Sequence, residues 1–101
     1  MSQFLFYTQL SAQGDYPPAL HNLGIYYHFH KHDPETALSY FLRAAQLGYP
    51  ASENNLGVMY ALGLGVPKDV IQALRFTILA SFHDHPLAPS NLKILYSMET
   101  R

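Results

Sequence analysis

A six-residue pattern recurs in this chain at near-constant spacing, and it restricts the fold more than any other feature. Asn22-Leu23-Gly24-Ile25-Tyr26-Tyr27 returns 33 residues later as Asn55-Leu56-Gly57-Val58-Met59-Tyr60, and Asn91-Leu92 begins the pattern a third time. Between these segments lies a second recurrent set. Asp33, Ala37-Leu38, Tyr40-Phe41 and Ala44-Ala45 are matched 36 residues on by Asp69, Ala73-Leu74, Phe76-Thr77 and Ala80-Ser81. The spacing grows by three because Gly63-Leu64-Gly65-Val66-Pro67-Lys68 is longer than its counterpart His30-Lys31-His32, so the difference falls in a turn. Periods of about 20 to 50 residues mark repeat architectures, whose units bury their apolar faces by stacking on one another.

Local punctuation makes each unit a helical hairpin. Asp33 and Asp69 stand where a side-chain acceptor is wanted ahead of a helix; Pro34 follows one at the first helical position, and Gln72 completes a capping-box pattern after the other. Gly14 and Gly48 fall where a helix ends and the chain turns, and Asp84 takes that place in the second unit. Prolines 17, 50 and 86 lead into the following helices. The pattern predicts an all-α chain of about six helices, near 2–13, 17–29, 34–47, 50–62, 70–83 and 86–98. Gly24 and Gly57 sit inside two of these, where glycine costs about 0.5–1 kcal/mol relative to alanine. Their recurrence in register points to close approach of a partner helix, with Ala37/Ala44 and Ala73/Ala80 as the expected facing surface. Lys93 replaces the glycine in the third unit, where too few residues remain for a partner helix.

A chain of 101 residues supports one hydrophobic core, and 49% hydrophobic against 13% charged residues argues for a folded domain. Lys31, Arg43, Lys68, Arg75, Lys93 and Arg101 are scattered against seven acidic residues, so nothing resembles the grouped cations that neutralise phosphates. Nucleic acid and anionic membrane surfaces are therefore not expected partners. The absence of cysteine removes disulfides, thiol catalysis and Cys-based zinc sites. No Lys or Arg occurs in the first thirty residues, which lack the charged start of a secretory signal, and no apolar run approaches a membrane span; a cytoplasmic protein is expected.

The chain resembles Sel1-like repeats, relatives of the tetratricopeptide repeat. The likeness covers about residues 16–92 and is carried by Ala19 with Leu23-Gly24 and Tyr27, Leu56-Gly57 with Tyr60, Gly63 to Asp69, and Ala37, Tyr40-Phe41, Ala44-Ala45 and Gly48. It implies a right-handed α–α superhelix of antiparallel helix pairs whose first helices line a concave face, with scaffolding or adaptor roles and no catalytic residues. The implied division of the single domain 1–101 is a half-repeat at 1–14, full repeats at 16–49 and 50–85, and a half-repeat at 86–101. The chain departs from the family pattern at Thr77, where an aromatic is usual, and at Asp84, where glycine is usual.

On such a scaffold the candidate binding surface follows from positions around each core leucine. These are His21, Asn22, Ile25, His28 and Phe29 in the first unit, Asn54, Val58, Ala61 and Leu62 in the second, and Ser90 and Ile94 beyond. This surface mixes apolar contact with neutral hydrogen-bonding groups and fits a helical or extended segment with apolar anchors. Asn22, Asn55 and Asn91 have two readings, contact with a ligand backbone or a structural role that bridges adjacent units or caps the preceding turn, of which the structural role is favoured.

The histidines at 28, 30 and 32 with Asp33, and those at 83 and 85 with Asp84, raise a metal-binding alternative; solvated turn histidines are the simpler reading, and no cofactor is expected. No phosphate loop, metalloprotease pattern or nucleophile elbow is present, so no enzymatic activity is expected. The leading expectation is an adaptor or scaffold that binds a partner protein. A stoichiometric inhibitor, such as an antitoxin or immunity protein, is the alternative. Phe4, Phe6 and Ile94 on the end helices also suggest a homodimer.

Overall fold

In the computed structural model, residues 15–99 are described, and they form five α-helices. These are α1 (Pro17–Phe29), α2 (Pro34–Gln46), α3 (Pro50–Leu62), α4 (Val70–Phe82) and α5 (Ala88–Glu99). The helix expected at 2–13, with Phe4, Phe6 and Gly14, lies outside the described residues. Proline opens α1, α2 and α3, where its missing N–H costs nothing and its fixed φ suits the first turn. Asp33 caps α2 by accepting from the Thr36 amide at 3.2 Å and the Thr36 hydroxyl at 2.6 Å, and Asp69 caps α4 by accepting from the Gln72 amide at 3.1 Å. The last helix starts two residues later than Pro86 suggests. There the Leu87 amide donates to His85 Nδ1 at 3.1 Å, which holds residues 85–87 in a turn.

Helices α1/α2 and α3/α4 are antiparallel hairpins, and α5 packs on the second as the next first helix. The stack is elongated, 47 × 26 × 17 Å. Its core is a chain of small clusters: Ala19, Leu20, Leu23 and Ala44; then Ala37, Phe41, Leu56 and Met59; then Ala61, Ala73 and Leu95. Each hairpin is pinned by one stacked aromatic pair, Tyr27 on Tyr40 at 5.5 Å and Tyr60 on Phe76 at 5.6 Å between centroids.

The two helical glycines do sit at close approaches, but alanine side chains are not what meets them. A Cβ on Gly24 would come within 2.5 to 2.8 Å of three atoms of the Phe41 ring. At Gly57 it would strike the Thr77 hydroxyl and lie 3.3 Å from the Ala73 carbonyl oxygen. The alanines at 37, 44, 73 and 80 are fully buried behind them.

Three consecutive polar residues in the first turn and a half of α3 are buried: Ser52, Glu53 and Asn54. Successive helical residues point about 100° apart, so the three side chains reach three different neighbours. Ser52 Oγ lies 2.8 Å from His21 Nδ1 on α1, Glu53 Oε1 lies 2.6 Å from His83 Nδ1 after α4, and Asn54 Oδ1 accepts from Asn91 Nδ2 on α5 at 3.0 Å. Every member of this hub has a partner, as buried polar groups require. It ties the amino-terminal ends of α1, α3 and α5 together.

Candidate functional site

Joined at one end by the hub, the first helices leave two recesses toward their carboxy-terminal halves. The first lies between α1 and α3, has a volume of about 130 Å³, and is walled by Ile25, His28 and Phe29 on one side and Asn55 and Val58 on the other. Phe41, Met59 and Leu64 form its floor, Leu64 being delivered by the long turn of the second hairpin. The second lies between α3 and α5, has a volume of about 160 Å³, and is walled by Val58, Leu62 and Ile94. Gly57, Ala61, Thr77 and Leu95 line its depth, with Asn91 at its edge. Val58 belongs to both, so the recesses form one groove divided by a single ridge. Neither contains a charged side chain. Phe29, Leu62 and Ile94 expose 62%, 65% and 59% of their surface along it, an apolar display of the kind that marks contact sites.

Seven of the sequence-derived candidates meet in this groove: Ile25, His28, Phe29, Val58, Ala61, Leu62 and Ile94. Four do not. His21 is half-buried against Ser52, with its ring 5.3 Å from Phe41 and 5.4 Å from Tyr49. Asn54 is buried in the hub, while Asn22 and Ser90 are exposed outside the recesses. The pattern has a geometric cause. Positions two and five or six after the core leucine face the groove where the helices part, whereas in α1 and α3 the position two before lies a turn nearer the amino end, where the helices touch; its equivalent on α5, Ser90, is exposed.

The recurrent asparagines divide: Asn91 bridges units through Asn54, Asn55 lines the first recess, and Asn22 is exposed. Met59, Leu64, Thr77 and Leu95 are groove residues that sequence reasoning did not nominate. The departure of Thr77 from an aromatic was the available signal for one of them.

Electrostatics in and near the groove involve histidines. Burial first, and the neighbouring His85 imidazole second, hold the His21 imidazole below its ordinary value. Among the described residues, the buried Nδ1 of His28 finds no hydrogen-bond partner; its ring, on the first recess, meets Phe29 edge-on at 4.7 Å. Among the described residues, no group of three or more histidine or acidic side chains is placed to hold an ion. No helix among them is long and apolar enough to cross a membrane.

The family model for the Sel1 repeat matches residues 17–49 and 50–81. Curated protein sequences yield no match. Among solved structures, the chain is similar to a protective antigen present in uropathogenic Escherichia coli strains that displays an SLR fold. The sequences are 29% identical and the TM-score is 0.79, over 81% of this chain and 18% of that one. It is also similar to a Sel1 repeat protein from Oxalobacter formigenes, at 27% identity and a TM-score of 0.74, over 79% of this chain and 34% of that one. The chain thus spans well under two thirds of either relative.

Proposed function

Because the chain belongs to the Sel1 repeat family, whose repeats are generally protein–protein interaction modules, we propose that it is a non-catalytic adaptor holding one partner protein in the groove of α1, α3 and α5. The observation that carries this is the pair of apolar recesses on either side of Val58, lined by no Lys, Arg, Asp or Glu and flanked by exposed Phe29, Leu62 and Ile94. Burying such side chains in a complex contributes up to about 1.5–3 kcal/mol each toward offsetting the cost of association. A segment with apolar anchors fits this surface. An acidic tail finds no cation in the groove to hold it.

The test replaces Ile25 and Val58 by aspartate, singly, in tagged protein used to capture partners from native lysate. Both variants keep their helical circular dichroism and lose the captured protein. Undiminished capture by folded variants would refute the groove. The same surface serves the alternative of a stoichiometric inhibitor that covers a cognate protein; a 1:1 complex that abolishes the captured partner's activity distinguishes this from scaffolding.

A further inference from the structure

Between the two hairpins, α2 packs on α3, whereas α1 and α3 make little close approach of their own. On that side the hairpins are held by a side-chain contact in the hub, His21 Nδ1 to Ser52 Oγ at 2.8 Å. Ser52 is fully buried, and His21 is half-buried against the rings of Phe41 and Tyr49. The arrangement is a packed seam at α2 and α3 with a latch opposite it, and one half of the latch titrates.

The hub's two inter-element histidines answer acid differently. His83 Nδ1 lies 2.6 Å from Glu53 Oε1, a contact that a protonated His83 donates into, so acid leaves α3 tied to the segment after α4. Among the described residues, no carboxylate is paired with His21. Its polar partner is the Ser52 hydroxyl, and a second proton on its ring sits in a site already short of water. Burial first, and the His85 imidazole second, oppose that proton. The titratable groups near it are Tyr49 ahead of α3, Glu53 on α3, and His83, Asp84 and His85 after α4. Helix α1 carries no Asp, Glu, Lys or Arg, α5 carries none before Lys93, and at this end of α2 Arg43 is paired with Asp15 at 2.7 Å.

We propose that the His21–Ser52 contact is an acid-sensitive latch: protonation of His21 swings α1 away from α3 about the α2–α3 seam while both hairpins stay folded. The latch is closed above about pH 6.5, the ordinary imidazole value, and gives way as the pH falls from there toward the lower value of the closed state. The first recess, walled by α1 and α3, changes shape with it, so acid alters the groove through a residue outside its lining.

The chain has no cysteine, so two introduced cysteines carry spin labels without competition. Asn22→Cys on α1 with Arg75→Cys on α4 reads across the hairpins, and Asn22→Cys with Gln46→Cys on α2 reads within the first; all three positions are exposed. Between about pH 8 and pH 5 the cross-hairpin distance grows by about 2 Å or more, while the within-hairpin distance holds. The midpoint of that growth coincides with the His21 ring titration followed by NMR in the parent protein. His21→Asn, which keeps a polar partner for Ser52 and takes up no proton, removes the change. A constant cross-hairpin distance, a within-hairpin distance lost at the same pH, or a midpoint that follows His83 or His85 instead would each overturn the latch. So would an unchanged response in His21→Asn; if that variant does not fold, the midpoints in the parent decide. No partner is present in these measurements, so the latch stands or falls independently of what the groove binds.

Discussion

Gly24→Ala is the sharpest perturbation of the fold, because two effects of opposite sign meet at one methyl group. In an open helix the substitution would stabilise by about 0.5–1 kcal/mol, since alanine is the better helix former. Here the added Cβ would lie 2.5, 2.7 and 2.8 Å from three atoms of the Phe41 ring, against about 3.5–4.0 Å for an unstrained carbon contact. The ring or the helix must therefore give way by about 1 Å. Phe41 is buried among Ala37, Leu56 and Met59 and has little room to move. Overpacking of this kind costs about 1–3 kcal/mol, so at the middle of the two ranges the clash outweighs the propensity and leaves a net loss of about 1 kcal/mol. For a domain of this size, about 1 kcal/mol lowers the melting midpoint by roughly 4–8 °C. Thermal and urea unfolding followed by circular dichroism measure it. Phe41→Leu, costly by itself, should partly relieve Gly24→Ala, giving a coupling energy of about 1 kcal/mol or more in the double-mutant cycle. A Gly24→Ala protein as stable as the parent, or strict additivity with Phe41→Leu, would refute the close approach.

Three further outcomes follow from the hub and the caps. His83→Ala leaves the buried Glu53 side chain, 1% exposed, without its hydrogen-bond partner; the loss is about 1–3 kcal/mol, the cost of a buried polar group left unsatisfied. Adding Glu53→Gln to His83→Ala recovers most of it in urea titrations, and no recovery would show that packing, not charge, sets the cost. Asp69→Ala lowers stability by about 1 kcal/mol by removing the α4 cap, read from the same unfolding curves; an unchanged midpoint counts against the cap. The third concerns pH. With His21 held below 6.5 in the folded state by burial and then by His85, the unfolded chain binds the proton more readily, so stability is highest above about 6.5 and declines as the pH falls from there toward the folded-state value. His21→Asn flattens that decline in urea midpoints measured between about pH 8 and pH 5, and an identical slope in both proteins would contradict the assignment.

Much of the architecture was legible because its signals are local. Asp33, Asp69 and the prolines at 17, 34 and 50 act within one turn of themselves, and the helix starts fall where they stand. The recurrent glycines were legible as close approaches, yet which side chain fills each gap was not. Ala37, Phe41 and Ala44 lie at i, i+4 and i+7 on one helix face, and only how far the two helices of the hairpin slide along each other decides which of them meets the glycine. Likewise the lining by Leu64 depends on how a loop folds back, as it does where a Cβ on Gly65 would come within 2.6 Å of the Pro34 carbonyl. No pattern within the loop itself encodes that contact.

Ser52, Glu53 and Asn54 mark where sequence reasoning and structure part most clearly, and they also explain the groove. In isolation they read as a polar, solvated first turn of a helix, since an acidic residue near an amino terminus favours the helix dipole. Their burial comes from three separate neighbours, from 30 to 37 residues away, which no local pattern reports. By drawing α1, α3 and α5 together at their amino ends, the hub takes His21 and Asn54 out of the binding surface. The carboxy-terminal halves are left apart, where Ile25, Val58 and Leu62 border the recesses. The groove therefore depends on polar contacts it does not contain. Loosening the hub through His83→Ala should disturb the recesses near Val58 as well as stability, while Ile94→Asp, at the recess mouth, should leave the hub intact.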